Sequence, residues 1–111
     1  MNAIRIKRAN MSISIRCYTK FSVSELQPKL DRLLSSNPKV FPQYYILYKA
    51  RTLGPFDKEI SNEFGLDPES YFYIDVNNKA LEISTDEIAD MIRYELGKDN
   101  VIVLLNGEDL I

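Results

Sequence analysis

Residues 70–84 read SYFYIDVNNKALEIS, and the fold turns on how they pair. Successive side chains of a strand point to opposite faces. Phe72, Ile74 and Val76 therefore share one face, and Tyr71, Tyr73 and Asp75 the other. Asn77-Asn78 suits a two-residue hairpin turn, because Asn accepts the positive φ such turns require. That turn pairs Val76 with Lys79, Ile74 with Leu81 and Phe72 with Ile83. The opposite face then collects Tyr71, Tyr73, Asp75, Ala80 and Glu82. Nearly all aliphatics fall on one side, which supports the register.

Downstream, Ser84 and Glu87 have the spacing of a capping box. A helix is expected to run from there to Leu96, stopped by Gly97, with Ile88, Met91, Ile92 and Leu96 on its apolar face. Val101–Leu105 is a continuous apolar run, which predicts a central strand covered on both sides. Asn106-Gly107 turns the chain before Leu110 and Ile111.

Upstream, Met11 to Phe21 alternates: Ile13, Ile15, Cys17, Thr19 and Phe21 face one way, and Ser12, Ser14, Arg16, Tyr18 and Lys20 the other. This is a half-buried strand. Ser24 with Gln27 is expected to cap a helix whose stripe is Leu26, Leu30, Leu33 and Leu34, with Pro28 tolerated in the first turn. Asn37-Pro38 and Phe41-Pro42 end it. Gln43–Arg51 is a second strand. Leu53-Gly54-Pro55 breaks it, and a short helix follows with Phe56, Ile60 and Phe64 on one side and Gly65 as its stop. Residues 1–10 read as a basic arm, either disordered or extending an edge strand through Ile4 and Ile6, ahead of a single domain over 11–111.

The order β-α-β-α-β-β-α-β predicts an α/β or α+β domain with a mixed sheet of about five strands, two main helices and one short helix. Each strand–helix–strand passage favours a right-handed parallel pair. A composition of 45% hydrophobic and 27% charged residues excludes a disordered chain.

The residue counts exclude much chemistry. No histidine is present, which removes His-based triads and imidazole metal sites. One cysteine allows no intrachain disulfide, so a reducing compartment fits. Neither a membrane-length apolar run nor a secretory h-region is visible, and the expected location is the cytoplasm. The four glycines stand far apart at 54, 65, 97 and 107, so no phosphate-cradling loop exists and no cofactor is expected. Cys17, on the apolar face of a strand, is expected to be inert packing.

Charge is uneven along the chain. Residues 1–60 hold eleven Lys and Arg against four acids, and residues 61–111 hold twelve acids against three bases. Either the halves neutralise each other across the domain, or the molecule has a basic and an acidic pole. Glu95 falls inside the apolar arc of its helix, between Ile88 and Met91, so it either snorkels or meets a Lys or Arg.

These exclusions favour a non-catalytic interaction module: an inhibitor, immunity-type or adaptor protein. Its expected contacts are the acidic helix face of Asp86, Glu87 and Asp90 and the tyrosines Tyr71 and Tyr73, facing a protein partner of basic character. Two alternatives stand beside it. Arg16, Tyr18 and Lys20, with the neighbouring tyrosines, offer a basic-aromatic sheet face for single-stranded nucleic acid, although a pI near 5.1 opposes dominant phosphate contacts. Asp75 and Glu82, diagonal across the hairpin, offer the carboxylate pair of a metal-dependent hydrolase.

Overall fold

A computed structural model of the chain describes residues 13–54, 65, 67–77, 83–107 and 109–111. The elements are β1 (Ser14–Thr19), α1 (Val23–Ser36), β2 (Tyr45–Leu47), β3 (Arg51–Thr52), β4 (Ser70–Val76), α2 (Thr85–Leu96), β5 (Val101–Leu105) and β6 (Asp109–Leu110). Six strands form one sheet in the order β2-β4-β1-β5-β6, with β3 also on β4. The expected arm at 1–10 and the short helix near Phe56 lie outside the described residues.

Among the described residues every strand pairing is antiparallel, so the fold is α+β. Parallel neighbours were expected because two strand–helix–strand passages occur. The passages do join parallel strands, but each spans an intervening one: β1 and β2 flank β4, and β4 and β5 flank β1. Two interleaved, split β-α-β units of the ferredoxin-like kind result. The central strand is therefore β1, where β5 was expected.

The hairpin expectation is corrected in the same way. β4 pairs with β1 along one edge, from Ser14 opposite Asp75 to Thr19 opposite Ser70. Its other edge pairs with β2 and β3. No edge remains for a return strand, and Ile83 sits in a bend with its carbonyl accepting the Tyr45 hydroxyl at 2.8 Å. Asn77 anchors β2 instead: its side chain donates to the carbonyls of Pro42 and Gln43, and its backbone N–H to that of Tyr44. Asn78 through Glu82 lie outside the described residues.

The second strand breaks into two for a physical reason. Tyr45 to Leu47 pair with Val76 to Ile74, whereas Arg51 pairs with Tyr71. Three residues, 48–50, thus face two on β4, which is a β-bulge. The extra residue reverses the alternation and sends Arg51 to the outer face, opposite Tyr71. The Ala50 N–H finds its acceptor in Gln27 Oε1 at 2.8 Å. Gln27 is thereby committed elsewhere, and the cap of α1 is Ser22, not Ser24. Ser22 accepts from the Glu25 N–H, and the Glu25 carboxylate accepts from the Ser22 N–H at 2.9 Å.

Both helices cover one face of the sheet. Ile15 and Cys17 of β1, Phe72 and Ile74 of β4, and Val101 and Val103 of β5 pack there against Leu26, Leu30 and Leu33 of α1 and Ile88, Ala89, Ile92 and Leu96 of α2. Leu34, assigned to the stripe, is exposed. On the other face Tyr18, Ile102 and Leu104 form a smaller buried cluster with Leu53 and Tyr71 against it. β5 is covered on both sides, as its unbroken apolar run implies.

Candidate interaction surfaces

The outer sheet face is built by β1, β4 and the bulge. Arg16 lies 4.8 Å from the Tyr73 ring centroid, a cation–π distance, and its guanidinium reaches the Tyr18 hydroxyl at 3.4 Å. Tyr71 stands edge-on to Tyr73 at 5.3 Å and tilted against Tyr18 at 6.2 Å. Ser14, Arg16, Tyr48, Arg51, Tyr73 and Asp75 line a cleft of about 340 Å³. Tyr48 and Asp75 are neighbours in this cleft, and the Asp75 carboxylate, as a hydrogen-bond acceptor and a negative charge, holds the Tyr48 phenol above its ordinary value. Tyr18 is fully buried and Lys20 lies beyond the strand end, so the three residues of the nucleic-acid alternative do not form one stacking platform. Asp75 lies beside Tyr48 in this cleft, and its expected metal-binding companion Glu82 lies outside the described residues. No group of three or more Cys, Asp or Glu suited to a metal occurs among the described residues.

Cys17 is buried within the helix-side core. Burial pushes its thiol well above the ordinary range, against a smaller lowering by Arg93. Such a thiol packs and does not attack.

The helical side presents a different chemistry. Ser84 caps α2 by accepting from the Glu87 N–H at 3.1 Å, and Asp86 and Glu87 occupy the first turn, where the helix dipole favours negative charge. Burying Ile88, Ala89, Ile92 and Leu96 turns the opposite stripe outward. At about 100° per residue, Glu87, Asp90 and Tyr94 fall within roughly 60° of one another at the centre of that stripe. Tyr94 is 92% exposed, a large aromatic projecting from a ridge of carboxylates. The sequence reading passed over it, although the helical arithmetic that found Asp90 places Tyr94 beside it.

Two arginines border the ridge. Arg93 bridges Asp90 at 3.1 Å and the Ile111 carbonyl at 3.1 Å. Glu95, the misplaced charge, is 16% exposed and meets Arg32 of α1 at 3.5 Å. Between the helices, Leu33, Asn37, Asp90, Met91, Tyr94 and Glu95 contribute to a groove of about 510 Å³.

The expected contact residues are therefore split. Asp86, Glu87 and Asp90 lie on the helical side, and Tyr71 and Tyr73, both half-buried, on the opposite face of the sheet. One flat partner surface does not reach both.

A family model described as CDI System Immunity Component matches residues 11–109. The chain belongs to this family. No curated protein matches it. Its fold is similar to that of a chain from the "CdiA-CT/CdiI toxin and immunity complex from Burkholderia pseudomallei", with 21% identity, 89% of this chain and 96% of that chain covered, and a TM-score of 0.80. As a member of the CDI immunity family the chain is an immunity-type protein-interaction module that binds a protein partner, one of the three module types expected from the sequence. No helix among the described residues is long and apolar enough to cross a membrane.

Proposed function

We propose that this immunity protein neutralises a toxin of the CdiA-CT kind by binding it, without chemistry of its own, and that it does so through the exposed face of α2. The observation that carries this reading is Tyr94, 92% exposed between Glu87 and Asp90. Left in water, the ring adds nothing to the hydrophobic stabilisation of the fold. At an interface the same ring is a low-entropy anchor, and the carboxylates around it steer a basic partner. Family membership and the structural likeness to a toxin–immunity complex support the toxin as that partner. The same reading places the protein in the cytoplasm, which its single buried thiol suits.

The test is association kinetics with the toxin at two salt concentrations. Asp90→Lys combined with Glu87→Lys should slow association by about tenfold or more at low salt, and the difference should shrink as salt is raised. Unchanged association at low salt would remove α2 as the interface. The sheet-face cleft of Arg16, Tyr48 and Arg51 would then be the surface to probe.

A further inference from the structure

The groove between α1 and α2 has features that a flat acidic ridge lacks. Its floor is apolar, made by Leu33 and Met91. Tyr94 stands at its rim with the ring open to solvent. Asp90 and Glu95 bring two carboxylates to the same groove, and Asn37 at the C-terminal end of α1 lines it as well. The last turn of α1 holds no basic residue, and Asn37 caps it by donating to the Leu33 and Leu34 carbonyls. The two carboxylates and the open face of the Tyr94 ring favour a cation. The apolar floor favours a cation carried on an aliphatic stem.

We propose that this groove receives the side chain of an arginine from the toxin, its methylenes over Leu33 and Met91, its guanidinium against the Tyr94 ring and bonded to Glu95 and Asp90. The inference rests on the reading of α2 as the toxin interface and names the group that surface recognises. The structure already displays the chemistry within the chain: Arg32 brings a guanidinium to Glu95 from the α1 side at 3.5 Å, and Arg93 does so for Asp90. Both are surface pairs, and Arg32 is 70% exposed, so either yields readily to an incoming guanidinium. Arginine fits better than lysine because its planar fork bonds two carboxylate oxygens while its face lies on an aromatic ring.

Binding of the intact protein to its toxin, read as separate association and dissociation rates, tests this. Tyr94→Ala, Glu95→Gln and Met91→Lys, the last filling the groove with an ammonium of its own, should each weaken affinity roughly tenfold or more, chiefly through faster dissociation. Glu87→Gln, outside the groove, should act mainly on association. Replacing the toxin's arginines one at a time by Ala should reveal one whose loss is no longer additive with Tyr94→Ala and Glu95→Gln. If reversing Glu87 and Asp90 slows association while the three groove variants dissociate like the native protein, the groove proposal fails and the α2 interface stands. If no α2 variant changes either rate, while Arg51→Glu or Tyr48→Ala abolishes binding, the interface reading fails with it.

Discussion

Gln27 shows how one side chain can be claimed by two roles. Its position three residues after Ser24 has the spacing of a capping box, yet its carbonyl is held by the Ala50 N–H at the bulge, and its amide donates to Asp31 at 2.9 Å. A capping box two residues earlier was equally legible as Ser22 and Glu25. The tie was decided by a contact between residues 23 apart, which no local pattern contains. Gln27→Ala should therefore lower stability by about 1 kcal/mol, the cost of an unpaired part-buried N–H, as measured by urea denaturation. Ser24→Ala should do less. Glu25 carries a pH dependence. Its bonds with Ser22, backbone first and hydroxyl second, hold the carboxyl below its ordinary value. A depressed folded pKa means the stabilisation is present above the unfolded value near 4.5 and is lost as pH falls through the folded one. Glu25→Ala should remove stability at neutral pH and leave it nearly unchanged at acid pH. Equal losses at both would show that the ionised cap is not the cause.

At the scale of elements, alternation assigned faces well and partners poorly. Phe72 and Ile74 are buried with the helices, and Tyr71, Tyr73 and Asp75 point away from them, as period two requires. The hairpin failed because Asn77-Asn78 is a local signal, whereas both edges of β4 are taken by strands far away in sequence. The Asn106-Gly107 turn was read correctly because there the local and long-range signals agree. Asn106 has φ 55° and Gly107 φ 74°, and Asn106 exchanges bonds with Ser14, its N–H to the Ser14 carbonyl at 2.7 Å and its side-chain oxygen from the Ser14 N–H at 3.0 Å. Gly107→Ala forces a side chain into the left-handed region and should cost about 1 kcal/mol or more in thermal or chemical unfolding. No such penalty would mean the turn adopts another conformation.

For the whole molecule, the interleaved topology resolves the uneven charge. Strands from the basic half, β1 and β2, alternate with β4 and β5 from the acidic half, so Arg16 lies on Tyr73 and Arg32 reaches Glu95. The sheet mixes the two signs, while α2 keeps an acidic outer stripe because its buried residues face the sheet and its single base, Arg93, lies at the border of the stripe against Asp90. The acids of that stripe were legible from helical periodicity. Tyr94 carries neither charge nor motif to mark it, and the groove was illegible because it needs the packing of α1 against α2. The sheet-face tyrosines, expected to share an interface with the acids, lie across the sheet from them. These two faces can be told apart directly. Hydroxyl-radical footprinting of the protein alone and bound to its toxin, read by mass spectrometry, compares Tyr94 with Tyr48 and Tyr73 in one experiment. Tyr94, almost fully exposed in the free chain, should lose most of its labelling on binding while Tyr48 and Tyr73 keep theirs. Protection of Tyr48 and Tyr73 with Tyr94 still fully labelled would contradict the assignment of the toxin to the helical side.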